Sequence, residues 1–554
     1  MSPLSVASPF LSLAGAILLY ALWKVVPRYI DRYNSSMWDM PGPRSSSWLY
    51  GNLGDMRSEE PGVMLERWAK RHGHVLKYKV SMNADALLML DTKAVNHVLT
   101  HSHDYPKPEI ARFNLGLILG KGLLVVEGEQ HRQQRRILNP AFGPVQIRAL
   151  TDIFVEKAHQ LRNIWHEQVA KAGNVTQLDV VSGLNNMTLD VIGLAGFNYD
   201  LHSLNPEGKP NELRLAFDVM FRAISGAGLS VLSVLRNYVP IFRMIPTQVS
   251  HRMDDAQRVA RRIGMALIAE KKAAILRAAA EAGGEKEIGG KGMHDRDLLT
   301  LLIKANMSTD IPESQRLSDE DMLAQVPTFL VAGHETTSTA TAWCLFALAQ
   351  NQSVQTQLRE ELWGVPTESP TMDELNALPY LEAVVRESMR VYAPVSATIR
   401  VSAREDVIPL ERPYVDRKGN VCDSVRIPKN TRISIPILAM NKSKDLWGPD
   451  AQEFKPERWL SGTIPEAAHA IPGVWGNMLT FLGGPRACIG FRFSLVEMKA
   501  LLFTLIRSFE FELALPKEEI SKIPGLVDRP FLKQEKQKGA RLPLKVKTHV
   551  RPEY

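Results

Sequence analysis

Apolar residues recur along most of this chain at the i, i+3, i+4 spacing of amphipathic helices. Alternating apolar and polar residues between about Val75 and Val98 instead predict strands of a small sheet. A second sheet region is predicted from Val421 to Ile437, where β-branched residues are interrupted by prolines. The pattern therefore predicts a mainly α-helical fold with small β-sheets, in the α+β class. The segments with helical spacing are 129–141, 146–170, 250–280, 318–350, 372–391 and 491–508.

Two of the predicted helices begin at recognisable capping residues. Ser318 precedes the acidic run 319–321, so we expect an N-cap and a first turn that complements the helix dipole. The apolar run continues from there to about Ala349, which predicts one unusually long helix. Thr371 and Glu374 have the spacing of a capping box and predict a second start.

The N-terminal segment predicts a single transmembrane helix. Its first 23 residues, Met1 to Trp23, carry no charged side chain. At about 1.5 Å per residue, an apolar helix extending a few residues further is long enough to cross a bilayer core. Lys24, Arg28 and Arg32 follow the apolar run, which places the rest of the chain on the cytoplasmic side. A cleaved signal peptide is the alternative, but the basic leader that such peptides carry is missing here.

The chain is accordingly divided into an anchor (1–27), a linker (28–45) and one globular domain (46–554). The linker contains the hinge Pro41-Gly42-Pro43, which is stiff because each proline fixes φ and lacks a donor. The glycine-rich, charged stretch 283–292 predicts an exposed loop between helices rather than a domain boundary.

The composition narrows the classes of function. The chain has 554 residues, 45% hydrophobic and 23% charged, and is therefore globular rather than disordered. Its net charge of +7 includes no basic block, so we expect no nucleic acid partner. Its three cysteines are too few for a disulfide framework and too far apart for a zinc site. Cys344 is predicted to be a core residue and Cys422 incidental, whereas the surroundings of Cys488 indicate chemistry.

Cys488 lies in the glycine-rich segment Phe481-Leu482-Gly483-Gly484-Pro485-Arg486-Ala487-Cys488-Ile489-Gly490, which precedes an apolar helix. A helix N-terminus and a neighbouring arginine favour the thiolate. Gly483, Gly484 and Gly490 let the backbone turn sharply and approach a flat ligand. A buried structural cysteine is the alternative. The complete pattern F-x-x-G-x-R-x-C-x-G resembles the haem-binding loop of the cytochrome P-450 family, which implies the cytochrome P-450 fold and a haem cofactor (heme b, iron protoporphyrin IX).

The resemblance extends to the residues that contact the haem in this family. His131 and Arg135 match the family's W-x-x-x-R helix, with His in place of the usual Trp. The anionic propionates of haem need donors from more than one element. The resemblance implies Cys488 as axial iron ligand, His131, Arg135, Arg400 and Arg486 as propionate partners, and Phe481 as an aromatic shield of the sulfur.

The segment Ala332-Gly333-His334-Glu335-Thr336-Thr337 places glycine and polar residues inside an apolar helix. Such a conflict between local sequence and helix stability indicates function. The segment resembles the family's A-G-x-[DE]-T-[TS] oxygen-activation motif. By that resemblance, Glu335 and Thr336 guide protons to dioxygen, while Ala332 and Gly333 leave room for oxygen and substrate. His334 is interpreted as a helix residue rather than an iron ligand.

Glu387 and Arg390 have the i, i+3 spacing that puts both charges on one helix face. Taken alone, they are best interpreted as a surface ion pair. The segment 454–459, however, is similar to the family's P-E-R-F segment and supplies Arg458 to the same cluster. The resemblance implies that these three residues form a structural network that stiffens the region around the cysteine loop.

The resemblance also implies a substrate site, an electron donor and a membrane. The predicted substrate contacts are Phe329, Ala332, Gly333, Ala397 and Leu526. The chain shows no dinucleotide fingerprint, so electrons would come from NADPH through a diflavin reductase in the same endoplasmic reticulum membrane. The expected reaction is hydroxylation or epoxidation of a lipophilic small molecule. Terpenoids or other secondary metabolites, sterols, fatty acids and foreign aromatics all remain open.

Two other functions remain open from the sequence. A haem-thiolate isomerase or dehydratase acts without oxygen or reductase, and has no need of the acid and alcohol pair Glu335 and Thr336. A non-catalytic haem-binding membrane protein would keep Cys488 yet tolerate loss of Thr336.

Overall fold

The computed structural model describes most of the chain after the predicted anchor. The anchor itself (1–27) and the predicted loop 283–292 lie outside the described residues, apart from Gly15, Leu19 and Trp23. Within the described part, Val180–Phe197 is long and apolar enough to cross a membrane, but 72% of it is buried inside the protein, as in a core helix. The described ranges are 37–58, 63–205, 211–225, 248–281, 296–308, 311–462, 464–523 and 525–549.

Helices account for most of the described residues, and the strands are short. The helices are α1 (Leu53–Ser58), α2 (Val63–His72), α3 (Thr92–Thr100), α4 (Glu109–Leu119), α5 (Gly128–Leu138), α6 (Pro144–Lys171), α7 (Val180–Phe197), α8 (Glu212–Ser225), α9 (Gln248–Glu281), α10 (Leu298–Met307), α11 (Asp319–Leu323), α12 (Gln325–Gln350), α13 (Gln352–Trp363), α14 (Met372–Asn376), α15 (Pro379–Val391), α16 (Ile437–Asn441), α17 (Lys444–Trp447), α18 (Glu466–His469) and α19 (Phe491–Ser508). The strands are β1 (Val75–Lys79), β2 (Asp85–Met89), β3 (Val175–Asp179), β4 (Thr398–Val401), β5 (Asp406–Val415), β6 (Val421–Ile427), β7 (Arg432–Ile435), β8 (Phe509–Leu513), β9 (Ile520–Ile523), β10 (Arg529–Leu532) and β11 (Pro543–Thr548).

The helical class and most helix bounds are confirmed. The segments predicted at 146–170, 250–280 and 491–508 are α6, α9 and α19. Ser318 accepts a hydrogen bond from the Asp321 N–H, and Thr371 and Glu374 form the predicted capping box. Local capping and periodicity therefore predict these elements well.

The long helix predicted from 318 to 350 is wrong in one respect, because it breaks at Ala324 into α11 and α12. Pro327 has no N–H to donate to the Leu323 carbonyl four residues earlier, and its ring crowds that carbonyl. The predicted helix at 372–391 is likewise divided, into α14 and α15, and Pro379 stands at the start of the second part.

The sheet predictions need two corrections. The region from Val75 to Val98 contains β1 and β2, but its end forms α3, which begins after the N-cap Asp91. The second predicted region does not form a sheet of its own: β6 pairs with β5, while β7 joins the first sheet in the order β1-β2-β7-β4. The contact between β2 and β7 is parallel. Pairing across such a distance along the chain leaves no local sequence signal.

The described end of the predicted linker packs onto the body. Met40 is buried, and the Pro41 carbonyl accepts a hydrogen bond of 2.9 Å from the Lys77 N–H of β1. A Cβ on Gly42 would lie 1.7 Å from the Lys77 carbonyl oxygen, so only glycine fits here. The C-terminal end of the predicted linker therefore lies against the first sheet.

The core is built around α12, which packs against α7 on one side and α19 on the other. At its contact with α7, a Cβ on Gly333 would come within 2.8 Å of the Ile192 side chain. Helix α19 also packs on α6, where the rings of Phe154 and Phe493 meet edge to face at 4.8 Å between centroids. This packing fixes the helix after the cysteine loop relative to α12.

Candidate functional site

The cysteine loop is held by close backbone contacts. A Cβ on Gly483 would lie 1.7 Å from the Pro472 carbonyl oxygen, and one on Gly484 would lie 2.4 Å from the Leu99 carbonyl oxygen. Gly484 also has a φ of +68°, where a side chain is strained. Both glycines are therefore required by contacts with the protein's own backbone, a different reason from the close approach to a ligand that we expected.

Cys488 combines accessible surface with close surroundings of protein atoms. The Cys488 side chain keeps accessible surface, yet the surrounding protein desolvates it and raises the pKa of its thiol. The Gly490 N–H and the charge of Arg135 lower that pKa in part. The nearby arginine that favours the thiolate is thus Arg135 of α5, not Arg486 as the sequence suggested, and desolvation outweighs it.

Cationic side chains from separate elements converge beside the loop. Arg135 donates to the Ala487 carbonyl of the cysteine loop itself. Arg486 donates to the Val126 carbonyl at 2.8 Å and pairs with the Glu127 carboxylate. The region from Val126 to Arg135 is thereby joined to the cysteine loop, more than 350 residues later in the chain.

The same region holds three further basic groups. Lys107 Nζ lies 3.5 Å from the Glu127 carboxylate, which also accepts from the Lys107 N–H. Burial lowers the pKa of Arg400 to about 10, with Arg486 contributing. Burial and the charges of Arg486, Lys107 and Arg135 lower the pKa of His131 to about 3, so its imidazole is neutral.

These groups fit a ligand with two carboxylates and one metal. The cations that the structure brings together outnumber their one carboxylate neighbour, Glu127, and an excess of partly buried positive charge favours an anionic ligand. Within the described ranges, no cluster of three or more His, Cys, Asp or Glu side chains could hold a bare metal ion. One cysteine beside several propionate donors matches the donor set of a haem.

The middle of α12 presents the polar segment that the sequence identified. Ala332, Gly333, His334 and Thr336 keep accessible surface, whereas residues 337–349 are buried. The Thr336 hydroxyl donates to the Ala332 carbonyl at 2.6 Å. Glu335 is 6% exposed and burial raises the pKa of its carboxyl.

Arg529 of β10 is the basic partner of Glu335, with its Nε 3.1 Å from the carboxylate. The charge of Arg529 lowers the pKa of the Glu335 carboxyl and so offsets part of the effect of burial. Burial, Arg529 and Arg214 also lower the pKa of His334 to about 4, which leaves its imidazole neutral.

The predicted substrate residues have different surroundings. Phe329 is buried and its ring meets Phe142 edge to face at 5.6 Å between centroids. Ala397 is half-buried in the turn before β4, and Leu526 is 41% exposed between β9 and β10. A Cβ on Gly333 would meet Ile192 of α7, so its missing side chain allows close helix packing, and Gly333 also keeps accessible surface.

The charge cluster around Glu387 is buried rather than on the surface. The Glu387 carboxylate accepts two bonds from Arg390, at 2.7 and 2.9 Å, and one from Arg458 at 3.3 Å. Arg390 also donates to the Asn441 carbonyl, and the Asn441 side chain binds the Leu479 N–H at 2.9 Å, two residues before the cysteine loop. The cluster is therefore connected to the loop by a chain of hydrogen bonds.

Sequence patterns did not identify four charged groups in this part of the protein, namely Lys107, Glu127, Arg529 and Glu497. Lys107 and Glu127 lie on either side of α4, and Arg529 reaches Glu335 from a distant hairpin, so no local spacing signals either contact. Glu497, fully buried on α19, stands out in the sequence only as an acidic residue in an apolar helix, which was a usable signal.

Comparisons with known proteins agree with this geometry. The cytochrome P450 family model matches residues 40–537. The chain is 58% identical to cytochrome P450 monooxygenase 205 of Postia placenta, over 97% of this chain and 98% of that protein. It is 34% identical to cytochrome P450 monooxygenase claO of Ampulloclitocybe clavipes, over 99% of each. It is also 34% identical to ganoderic acid synthetase of Ganoderma lucidum, over 91% and 92%.

Proposed function

Because this chain belongs to the cytochrome P450 family and is an oxidoreductase of the monooxygenase class, we propose that it inserts one oxygen atom from dioxygen into a lipophilic small molecule. The reaction is hydroxylation or epoxidation, and the substrate is a terpenoid or another secondary metabolite. A relative named for the synthesis of ganoderic acid supports a role in making a metabolite.

The observation that carries the proposal is the convergence of Cys488 with basic groups from separate elements. In the proposal, the Cys488 thiolate would hold the haem iron, and Arg135, Arg400, Arg486 and His131 would bind the propionates. Phe481 supports the loop, because its carbonyl accepts the Cys488 N–H at 2.9 Å. When bound, the haem supplies reductive activation of dioxygen at its iron.

The protein's own part in the chemistry is to move protons and to exclude water. Glu335 is buried and directly precedes Thr336 on α12, and burial raises the pKa of its carboxyl, which favours a role in proton transfer. The Thr336 hydroxyl already donates within α12, at 2.6 Å to Ala332, so its oxygen is free to accept from another donor. Glu335 and Thr336 are the proposed acid and alcohol of the proton path.

Electrons and substrate reach the site from outside the chain. We assign the electrons to an NADPH-dependent diflavin reductase in the endoplasmic reticulum membrane. There, residues 1–27 anchor the protein as a single span, 28–45 link it, and 46–554 face the cytoplasm. Phe329, Ala332, Gly333, Ala397 and Leu526 border the proposed substrate path, and Leu526 lies at its exposed end.

Labelled dioxygen tests the proposal. The full-length protein in membranes is incubated with a diflavin reductase, NADPH and a panel of terpenoids under ¹⁸O₂, and products are read by mass spectrometry. The proposal expects one ¹⁸O atom per product and none without NADPH. A product that forms without NADPH and without label would identify the isomerase or dehydratase alternative. Product formation equal in wild type and Thr336→Ala would count against the assigned proton path.

A further inference from the structure

The hairpin of β9 and β10 carries an arginine that faces the inside of the protein. Strands β9 and β10 pair antiparallel, with Arg529 opposite Ile523. The Arg529 Nε lies 3.1 Å from the carboxylate of Glu335 on α12. The side chain of Arg529 is 23% exposed and the side chain of Glu335 is 8% exposed. An ion pair this well shielded from water is a stronger constraint on side-chain position than a surface pair.

The backbone beside Arg529 is fixed by two hydrogen bonds. The Asp528 N–H donates to the Pro394 carbonyl at 2.8 Å. The indole N–H of Trp343, also on α12, donates to the Asp528 carbonyl at 2.8 Å. Both bonds hold the backbone of the residue next to Arg529, so the start of its side chain is anchored to α12 and to the turn before β4.

We infer that Arg529 is a positioning residue for Glu335, and that the C-terminal hairpin is thereby part of the proton path. The guanidinium lies beside Oε1 of Glu335 and thereby biases proton exchange toward the other carboxylate oxygen, Oε2. This inference rests on the role of Glu335 in the proposed function.

The other titratable groups near the ion pair of Arg529 and Glu335 are a neutral histidine and two acids, so they differ from the cation Arg529. His334, next to Glu335, is neutral at pH 7 because burial with Arg529 and Arg214 lowers its pKa to about 4. Burial raises the pKa of Glu497 on α19 well above 4.5, and its carboxyl is directed to Thr337. The Asp528 carboxyl, with a pKa of about 6, is paired with Ser396 instead.

An infrared titration tests the ion pair without requiring turnover. The carbonyl band of the protonated Glu335 carboxyl is isolated as the difference between the wild-type protein and Glu335→Gln, which removes the overlapping band of Asp528. In Arg529→Met the midpoint of this band is expected at higher pH, and Arg529→Lys should restore most of the difference. Lys533→Met, an exposed charge removal on the segment after β10, should leave the midpoint unchanged. An unchanged midpoint in Arg529→Met would overturn the inference.

The amount of product formed per NADPH consumed tests the role of Arg529 in the proton path, with the same variants. Product formed per NADPH is expected to fall about tenfold in Arg529→Met, as when a proton donor is misplaced. The double variant Arg529→Met/Glu335→Gln should lose no more than Glu335→Gln alone, because both act on one step. Additive losses would show that Arg529 acts elsewhere, whatever the fate of the proposed reaction. A carbon monoxide spectrum of full amplitude in each variant excludes misfolding. Failure of the wild type and of every variant to incorporate ¹⁸O would instead refute the proposed function.

Discussion

Removing the Glu387 carboxylate tests the claim that the buried charge cluster supports the cysteine loop. In Glu387→Ala, two guanidinium groups that are at most 5% exposed, those of Arg390 and Arg458, lose their shared anion. The Trp459 indole N–H and the Lys455 backbone N–H lose an acceptor at 3.0 Å each. The substitution therefore removes the carboxylate that neutralises the buried Arg390 and leaves buried donors without that acceptor, while Arg458 keeps Asp450 at 3.0 Å.

The expected loss of stability follows from that burial. Removing one partner of a buried ion pair costs about 3–5 kcal/mol. At about 2.1 cal/mol/K per residue, unfolding a chain of 554 residues has an entropy of about 1.2 kcal/mol/K. The thermal midpoint of Glu387→Ala should therefore fall by about 3–4 °C.

A second Glu–Arg pair in the chain provides a matched control. Glu129 and Arg132 have the same i, i+3 spacing and lie 2.8 Å apart, but their side chains are 78% and 76% exposed. Such a pair contributes at most about 1 kcal/mol, so Glu129→Ala should lower the midpoint by less than about 1 °C. The assay is thermal unfolding followed by haem absorbance and tryptophan fluorescence. Equal thermal midpoints for Glu387→Ala and Glu129→Ala would refute the claim that the buried Glu387 cluster stabilises the fold more than an exposed ion pair does.

Three other substitutions test separate parts of the structure. Gly483→Ala should lower the ratio of haem to protein, because its Cβ meets the Pro472 carbonyl at 1.7 Å, while Gly54→Ala, with open space around it, should not. Arg400→Ala should weaken haem retention against a competing apoglobin by about tenfold, since it removes a buried cation from the propionate site; retention equal to wild type would count against that role. The thermal stability of Glu497→Gln relative to wild type should increase as pH rises above about 4.5, and a pH-independent difference would contradict this. Because the folded pKa of Glu497 is raised above 4.5, the folded state holds a proton that the unfolded state has lost, so wild-type stability falls as pH rises above that value.

Much of the fold was readable from local sequence. Helix α19 and the capped start at Thr371 follow from periodicity and capping, which depend on neighbouring residues alone. The break at Ala324 was also readable, since Pro327 cannot donate to the Leu323 carbonyl. The parallel pairing of β2 with β7 was not, because it joins segments hundreds of residues apart.

The candidate site likewise has features that the sequence predicted and contacts that it did not. The segment around Cys488 identified the family because its residues are contiguous, and the roles of Glu335 and Arg135 followed by resemblance. The charge that acts on Cys488 comes from Arg135 of a separate helix, and the charge that acts on Glu335 comes from Arg529. Contacts of this kind depend on tertiary packing, so they required the structure.

The central claim is that Cys488 holds the haem iron through its thiolate. The most direct measurement is the carbon monoxide spectrum of the reduced protein in membranes, recorded beside Cys488→Ala and with Cys344→Ala as the control at a buried cysteine. If Cys488 is the ligand, the red-shifted Soret band of a thiolate-bound haem is expected in wild type and in Cys344→Ala, and is lost in Cys488→Ala. Absence of that band from the wild type, or its survival in Cys488→Ala, would contradict ligation of the iron by Cys488.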